Sequence, residues 1–279
     1  MLKSGWIVVV GLAALLACGE ESSQGAPPAR GPEYDDYRAA LLAFVDAHGL
    51  VDYAGLKEQR VYLDDFVVYL ERLDPKTFDA WSERDRMALW INAYNALTLR
   101  AVIDNYPIAP ATPNGSYPTN SIRQIKGVWD FNRVNVMGQS TTLGYIETKI
   151  LRHDFHDARV HMALASAGVS SPALRPEPYE GSKLDAQLDD QVRKFLADPR
   201  QFKLDRAARE ARVSEMFRQY AEDFAPKDAP RTPPAGLERA GVRAFTARYV
   251  SAEARAFLAG NDYRVTYVPF NWALNEQVH

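Results

Sequence analysis

The run from residue 87 to residue 103, Met-Ala-Leu-Trp-Ile-Asn-Ala-Tyr-Asn-Ala-Leu-Thr-Leu-Arg-Ala-Val-Ile, limits the fold more than any other stretch. Read as a helix, it is apolar nearly all the way round. Trp90, Tyr94, Leu97 and Ala101 form one row; Met87, Ile91, Thr98 and Val102 form the next; Ala88, Ala96 and Leu99 cover a third. A helix without a polar face is buried on every side. Arg100 is its only ionised residue, while Asn92 and Asn95 sit among the apolar rows. A buried amide left unpaired costs about 1–3 kcal/mol, so both asparagines must be hydrogen-bonded. The sequence therefore predicts a central helix with two fixed polar contacts. Its length, two amides and arginine argue against a membrane span.

A chain of 279 residues can bury a large core, and 47% hydrophobic with 25% charged residues is ordinary for a globular protein. A net charge of −3 argues against a general nucleic-acid binder, which would be basic. Cys18 is the only cysteine, so the chain can form no internal disulfide, and the body holds no cysteine-rich zinc site and no cysteine nucleophile. Residues 1–17, a short basic start followed by the apolar run from Trp6 to Ala17, read as a secretion signal. Leu15-Leu16-Ala17-Cys18 resembles a bacterial lipobox, which implies cleavage before Cys18 and its acylation; the alternative is an ordinary signal with a chance cysteine. Acyl chains bind a bilayer at about 0.8 kcal/mol per buried CH₂. By the same resemblance, the absence of Asp after Cys18 points to the periplasmic face of the outer membrane. Residues 18–33 form a flexible tether, and residues 34–279 form one domain.

The pattern predicts helices over 34–47 and 56–72, a break at Pro75, and the central helix opening at Ser82 and ending at Asn105-Tyr106-Pro107. A proline-rich loop follows at 107–120. Residues 134–141 read as a hairpin turning at Gly138, 142–152 as a helix and 159–164 as a strand. Residues 165–183 are a loop and 184–197 an amphipathic helix. A short strand at 202–204, a largely helical 206–224, an exposed linker at 225–235, helices at about 237–248 and 251–259, and a strand at 263–268 complete the chain. No repeat and no boundary between two cores is visible, which gives a single α+β domain, mostly helical with a small sheet.

Glu147 is the sharpest local signal. It lies within the apolar stripe of Leu143, Ile146, Ile150 and Leu151, and a carboxylate facing a core must be paired or protonated. It is either a structural partner of Arg152, Arg159 or Arg175, or a general acid or base. On the predicted strand, Arg159, His161 and Ala163 share one face, and the strand opens into a loop of small residues. His161 is either a satisfied core histidine or a base. His153, Asp154, His156 and Asp157 invite a metal reading, but they fall where a helix should end in solvent, and no metal is assigned. Arg206, Arg209, Arg212 and Arg218, alternating with Glu210 and Glu215, read as a solvated helix face. No phosphate loop, dinucleotide fingerprint or Gly-x-Ser-x-Gly elbow is present, so no cofactor is expected.

Trp90-Ile91-Asn92-Ala93-Tyr94-Asn95-Ala96-Leu97-Thr98-Leu99 resembles the signature helix of the DUF547 family, whose function is unknown. Ile146-Glu147, Ile150-Leu151-Arg152, Arg159-Val160-His161, Ser171-Pro172-Ala173-Leu174-Arg175, Leu184-Asp185, Gln187-Leu188 and the run from Tyr267 to Asn275 extend that resemblance over roughly residues 34–275. The resemblance implies cysteines where this chain has Ser166 and Ser171, Glu-His where it has Glu147-Thr148, and Tyr-Asp-Trp where it has Phe270-Asn271-Trp272. Two readings follow for a site built from Asn92, Asn95, Glu147, Arg159, His161, Ser166, Ser171 and Arg175. In one, the site is degenerate and binds an envelope peptide, glycan or protein. In the other, the chain is an envelope hydrolase or acyl-transfer enzyme with Ser171 as nucleophile, His161 as base and Glu147 as orienter or acid. The expected partners are the membrane, through the lipid anchor, and such a ligand; nucleic acid is not among them.

Overall fold

Ser82 stands in extended backbone, and its Oγ accepts from the backbone N–H of Asp85 at 3.1 Å, with Glu83 and Asp85 supplying acid to the first turn. From this cap the central helix runs Glu83–Asn105, and every residue from Met87 to Leu99 is buried. The structure, a computed structural model, describes residues 31–109, 115–229, 231–232, 234–260 and 262–278. The expected signal segment, Cys18 and the expected tether up to residue 30 lie outside the described residues. Among the described residues no helix is long and apolar enough to cross a membrane.

Helices Asp35–Phe44, Tyr53–Glu58 and Val61–Arg72 pack about the N-terminal side of this core, where Tyr37 stacks on Phe66 with ring centroids 4.7 Å apart. The helix predicted over 56–72 is two helices, because the first is separately capped by Asp52, which accepts from Gly55 N at 2.8 Å. Pro75 does more than break the chain. It occupies the first turn of helix Pro75–Asp79, where its missing N–H costs nothing. The hairpin pairs Val134–Val136 with Gln139–Thr141, and its two turn residues, Met137 and Gly138, have φ of 52° and 69°. Positive φ at both positions matches the right-handed strand twist.

Two segments are of a different kind from the one expected. Residues 159–164 are not a strand but a 3₁₀ turn, Ala158–Met162, opened by Asp157, which accepts from Arg159 N at 2.9 Å. Val160, His161 and Met162 are all buried, so the alternation that suggested a strand had no solvent face behind it, and a short apolar run does not distinguish the two states. Residues 206–224 are not largely helical either. Glu210–Ser214 is a strand, antiparallel to Phe202–Asp205 and parallel to Arg264–Val268, followed by helices Met216–Gln219 and Ala221–Phe224. Ala211 and Val213 point into the core while Arg212 is exposed. Pairing on both sides thus overrides the charge pattern read as a helix face. Helices Pro234–Thr246 and Ala252–Ala259 supply the crossover between the parallel strands.

The fold is α+β with more helix than strand. Its buried side chains form two clusters where the sequence suggests one. The first surrounds the central helix; the second, with Phe195, Phe217, Phe224 and Val242, lies between the three-stranded sheet and the C-terminal helices. Val160 belongs to the first and Met162 to the second, so His161 sits at their seam. The C-terminal tail closes the unit, with Leu274 bridging Gly168 and Glu276 bridging Val51.

Candidate functional site

The second half of the predicted 142–152 helix is wound as a π-helix, Ile146–Asp154, after one α-turn at Leu143–Tyr145. Bonds from i to i+5 set residues five apart above one another, so Ile146 and Leu151 share the buried line, and Glu147 and Arg152 share the next. Glu147 is half-buried, as its place in the apolar stripe predicts. Its partners, however, are tyrosines. Tyr220 donates its hydroxyl to Glu147 Oε1 at 2.6 Å, and Tyr94 approaches Oε2 at 3.5 Å, a long contact. Tyr94 also accepts from Trp129 Nε1 at 3.1 Å, and the Ser166 side chain lies beside its hydroxyl. Burial, and then the carboxylate of Glu147, push both tyrosine hydroxyls well above their ordinary range, so both are protonated donors at neutral pH.

His161 joins the same cluster from the other core. Its ring stacks on Tyr220 with centroids 4.0 Å apart, meets the edge of Phe224 at 5.2 Å, and bonds Asp223 Oδ2 through Nε2 at 2.7 Å. Arg152 donates to the same oxygen at 2.6 Å and lies 5.0 Å over the Tyr220 ring. Burial raises the Asp223 carboxyl, but hydrogen bonds from His161 and Arg152 outweigh it and hold the group down at about 2. The cluster thus carries Glu147 as an acceptor with lone pairs to spare, fed by two hydroxyls, beside a closed Arg152–Asp223–His161 chain.

An aromatic wall flanks it. Trp129 and Trp272 meet at 5.8 Å, Phe270 lies 4.1 Å from Trp272, and the Arg123 guanidinium sits 5.0 Å over Trp272 and 4.8 Å over Tyr117.

Of the residues predicted to share a site, Glu147, His161 and Ser166 are brought together. Ser171 is attached at one remove, because its Oγ accepts from Ser166 N at 2.7 Å. Ser171 and His161 share no hydrogen bond and line different cavities: Ser171 one of about 310 Å³ with Gln191 and Asn275, His161 one of about 200 Å³ with Arg152 and Asp223. The nucleophile–base pair of the hydrolase reading is therefore not formed.

The remaining candidates hold the fold. Asn92 donates to Tyr179 O at 2.8 Å and accepts from Tyr179 N at 2.9 Å. Asn95 donates to Ala163 O at 3.0 Å and accepts from Ala165 N at 2.8 Å. Each amide thus clamps main chain through both its oxygen and its nitrogen inside the core, which gives both asparagines a structural role. Arg159 is spent on Asp157, Asp185 and Asp189, and Arg175 on Glu177 and Asp190. Both face the acidic side of helix Leu184–Ala197 and do not reach Glu147. His153 pairs with Asp154 at 2.8 Å in solvent, and no group of three or more possible metal ligands occurs among the described residues.

Sequence reasoning missed Tyr94, Trp129, Tyr220 and Asp223 as site residues. Tyr94 was visible only as a core position. Tyr220 and Asp223 fell in a segment read as largely helical, and nothing in the sequence links them to a residue some 70 positions earlier.

No curated protein and no solved structure matches the chain. The family model that matches is DUF547, described as a protein of unknown function, and it matches residues 78–196, a shorter stretch than the motifs suggest. Tyr220 and Asp223 lie beyond it, so the cluster is completed by chain outside the match. The segment 78–196, which carries the central helix, Glu147, His161 and both serines, is thus similar to DUF547, a family described only as of unknown function.

Proposed function

We propose that the chain is a lipid-anchored binding protein of the bacterial cell envelope, and that its site receives a hydrogen-bond donor, an ammonium or hydroxyl of a peptide or glycan, at Glu147. One observation carries this reading over the hydrolase. The two groups that would make a nucleophile and its base are each committed elsewhere, Ser171 Oγ to Ser166 N and His161 Nε2 to Asp223. Without a base in contact, a serine hydroxyl keeps its high pKa and attacks poorly. Glu147 meanwhile retains acceptor capacity at a half-buried position beside aromatic side chains, which suits orientation of a bound polar group.

The test is calorimetric titration of the full chain with short amine-terminated peptides and with oligosaccharides, comparing wild type with Glu147→Gln. A binder whose affinity falls at least tenfold in the variant supports the reading. A serine-reactive fluorophosphonate should label neither wild type nor Ser171→Ala; labelling of the wild type that Ser171→Ala abolishes would overturn it. The anchor is tested by membrane fractionation of Cys18→Ser, which should release the chain to the soluble fraction.

A further inference from the structure

A cavity of about 700 Å³ opens beside the hairpin and the short helix Pro75–Asp79. Its size is that of small-molecule sites, which span about 300–1,000 Å³. It shares no lining residue with the Glu147 cluster. Phe78 and Trp90 contribute rings that meet edge to face at 6.1 Å and 79°, and the ring of Tyr145, 54% exposed, also lines it. Asp79, Asp130 and Arg133 add charge, and all three are exposed. Among the described residues, none of these three side chains makes a hydrogen bond or ion pair. Arg159 and Arg175, by contrast, are each tied to two or more carboxylates. Thr141 also lines the cavity, and its hydroxyl is buried without a partner. A buried polar atom left in that state costs about 1–3 kcal/mol unless something answers it.

We propose that this cavity is a saccharide-binding site. Aromatic faces pack against the C–H faces of a sugar ring. Two carboxylates accept from its hydroxyls, and a guanidinium donates to them. The lining offers donors and acceptors together, the Arg133 guanidinium beside two carboxylates and the Thr141 hydroxyl, which suits sugar hydroxyls that both donate and accept; a cationic peptide is the rival that the test must exclude. The assignment does not depend on the role proposed for Glu147.

The experiment is titration of the full chain with cello-, chito- and malto-oligosaccharides, and with the tripeptide Lys-Trp-Lys as the cationic rival. Arg133→Ala and Tyr145→Ala remove exposed side chains, and thermal melting checks that both variants fold. The expected result is binding of at least one oligosaccharide series, weakened tenfold or more by each substitution. Absence of binding to all three series, binding of the tripeptide alone, or binding indifferent to both substitutions overturns the proposal. Saccharide binding lost in Glu147→Gln and kept in Arg133→Ala would move the ligand to the other site and also overturn it.

Discussion

Asn95→Ala should be among the most damaging single substitutions in the protein. Asn95 is 2% exposed, and its amide pairs two main-chain groups, Ala163 O at 3.0 Å and Ala165 N at 2.8 Å. Alanine reaches neither, and both lie in the buried core. Each orphaned group costs about 1–3 kcal/mol, so the loss should come to about 2–6 kcal/mol. That is a large part of the 5–15 kcal/mol typical of a folded domain. Urea denaturation followed by circular dichroism measures it, with a lower midpoint at unchanged slope. Asn95→Leu, closer in volume, should lose a similar amount, which separates hydrogen bonding from packing. Asn105→Ala is the control. Asn105 also donates to a carbonyl, Ala101 O at 2.8 Å, but in an exposed position where water replaces it, so the change should stay within about 0.5 kcal/mol. A loss below about 1 kcal/mol in Asn95→Ala would refute the clamp and restore Asn95 as a candidate ligand contact.

Acid unfolding should carry the signature of Asp223. Its carboxyl is held at about 2 in the fold, against about 3.9 in an unfolded chain, so its contribution of about 2 kcal/mol is present above pH 4 and is lost as pH falls toward 2; Asp223→Asn should flatten that limb of the stability profile. Tyr220→Phe removes the 2.6 Å hydrogen bond to Glu147 but keeps the ring on His161, and should cost about 1–2 kcal/mol in urea denaturation. Gly168→Ala would set a Cβ 2.9 Å from Phe270 Cε1 and 3.2 Å from the carbonyl of Asn271, so thermal melting should show a loss of about 1–3 kcal/mol as the tail is pushed off.

The central helix was legible because burial leaves a composition that no other element carries. Its cap at Ser82, its end before Pro107, the hairpin at Gly138 and the helix over 184–197 followed from local chemistry. Segments whose state depends on distant partners were not legible. Glu210–Ser214 becomes a strand only because two others flank it, and the turn at Ala158–Met162 is buried on all sides. Within the site, the stripe gave away Glu147, but not what it would meet. Arginines nearby in sequence were the obvious partners, and the fold instead brings Tyr220 from 73 positions away. The asparagines were legible as buried and hydrogen-bonded, but their main-chain partners were not, since the amide pattern alone does not tell main chain from a bound molecule.

The tail has a consequence for how the molecule is assembled. Asn275 accepts from the Tyr53 hydroxyl, 222 positions away, at 2.7 Å, and donates to Gly49 O at 3.0 Å, while Gln277 donates to Phe44 O and Leu50 O. Its neighbour Leu274 bridges Gly168. A single short segment thus fastens two regions far apart in sequence, the first helices and the serine-bearing loop. In a chain emerging from its N-terminus, both must wait, unlatched, until that segment is delivered. A proteolytic cut just ahead of it should release them together, so the protein should resist digestion as a whole and then fail as a whole.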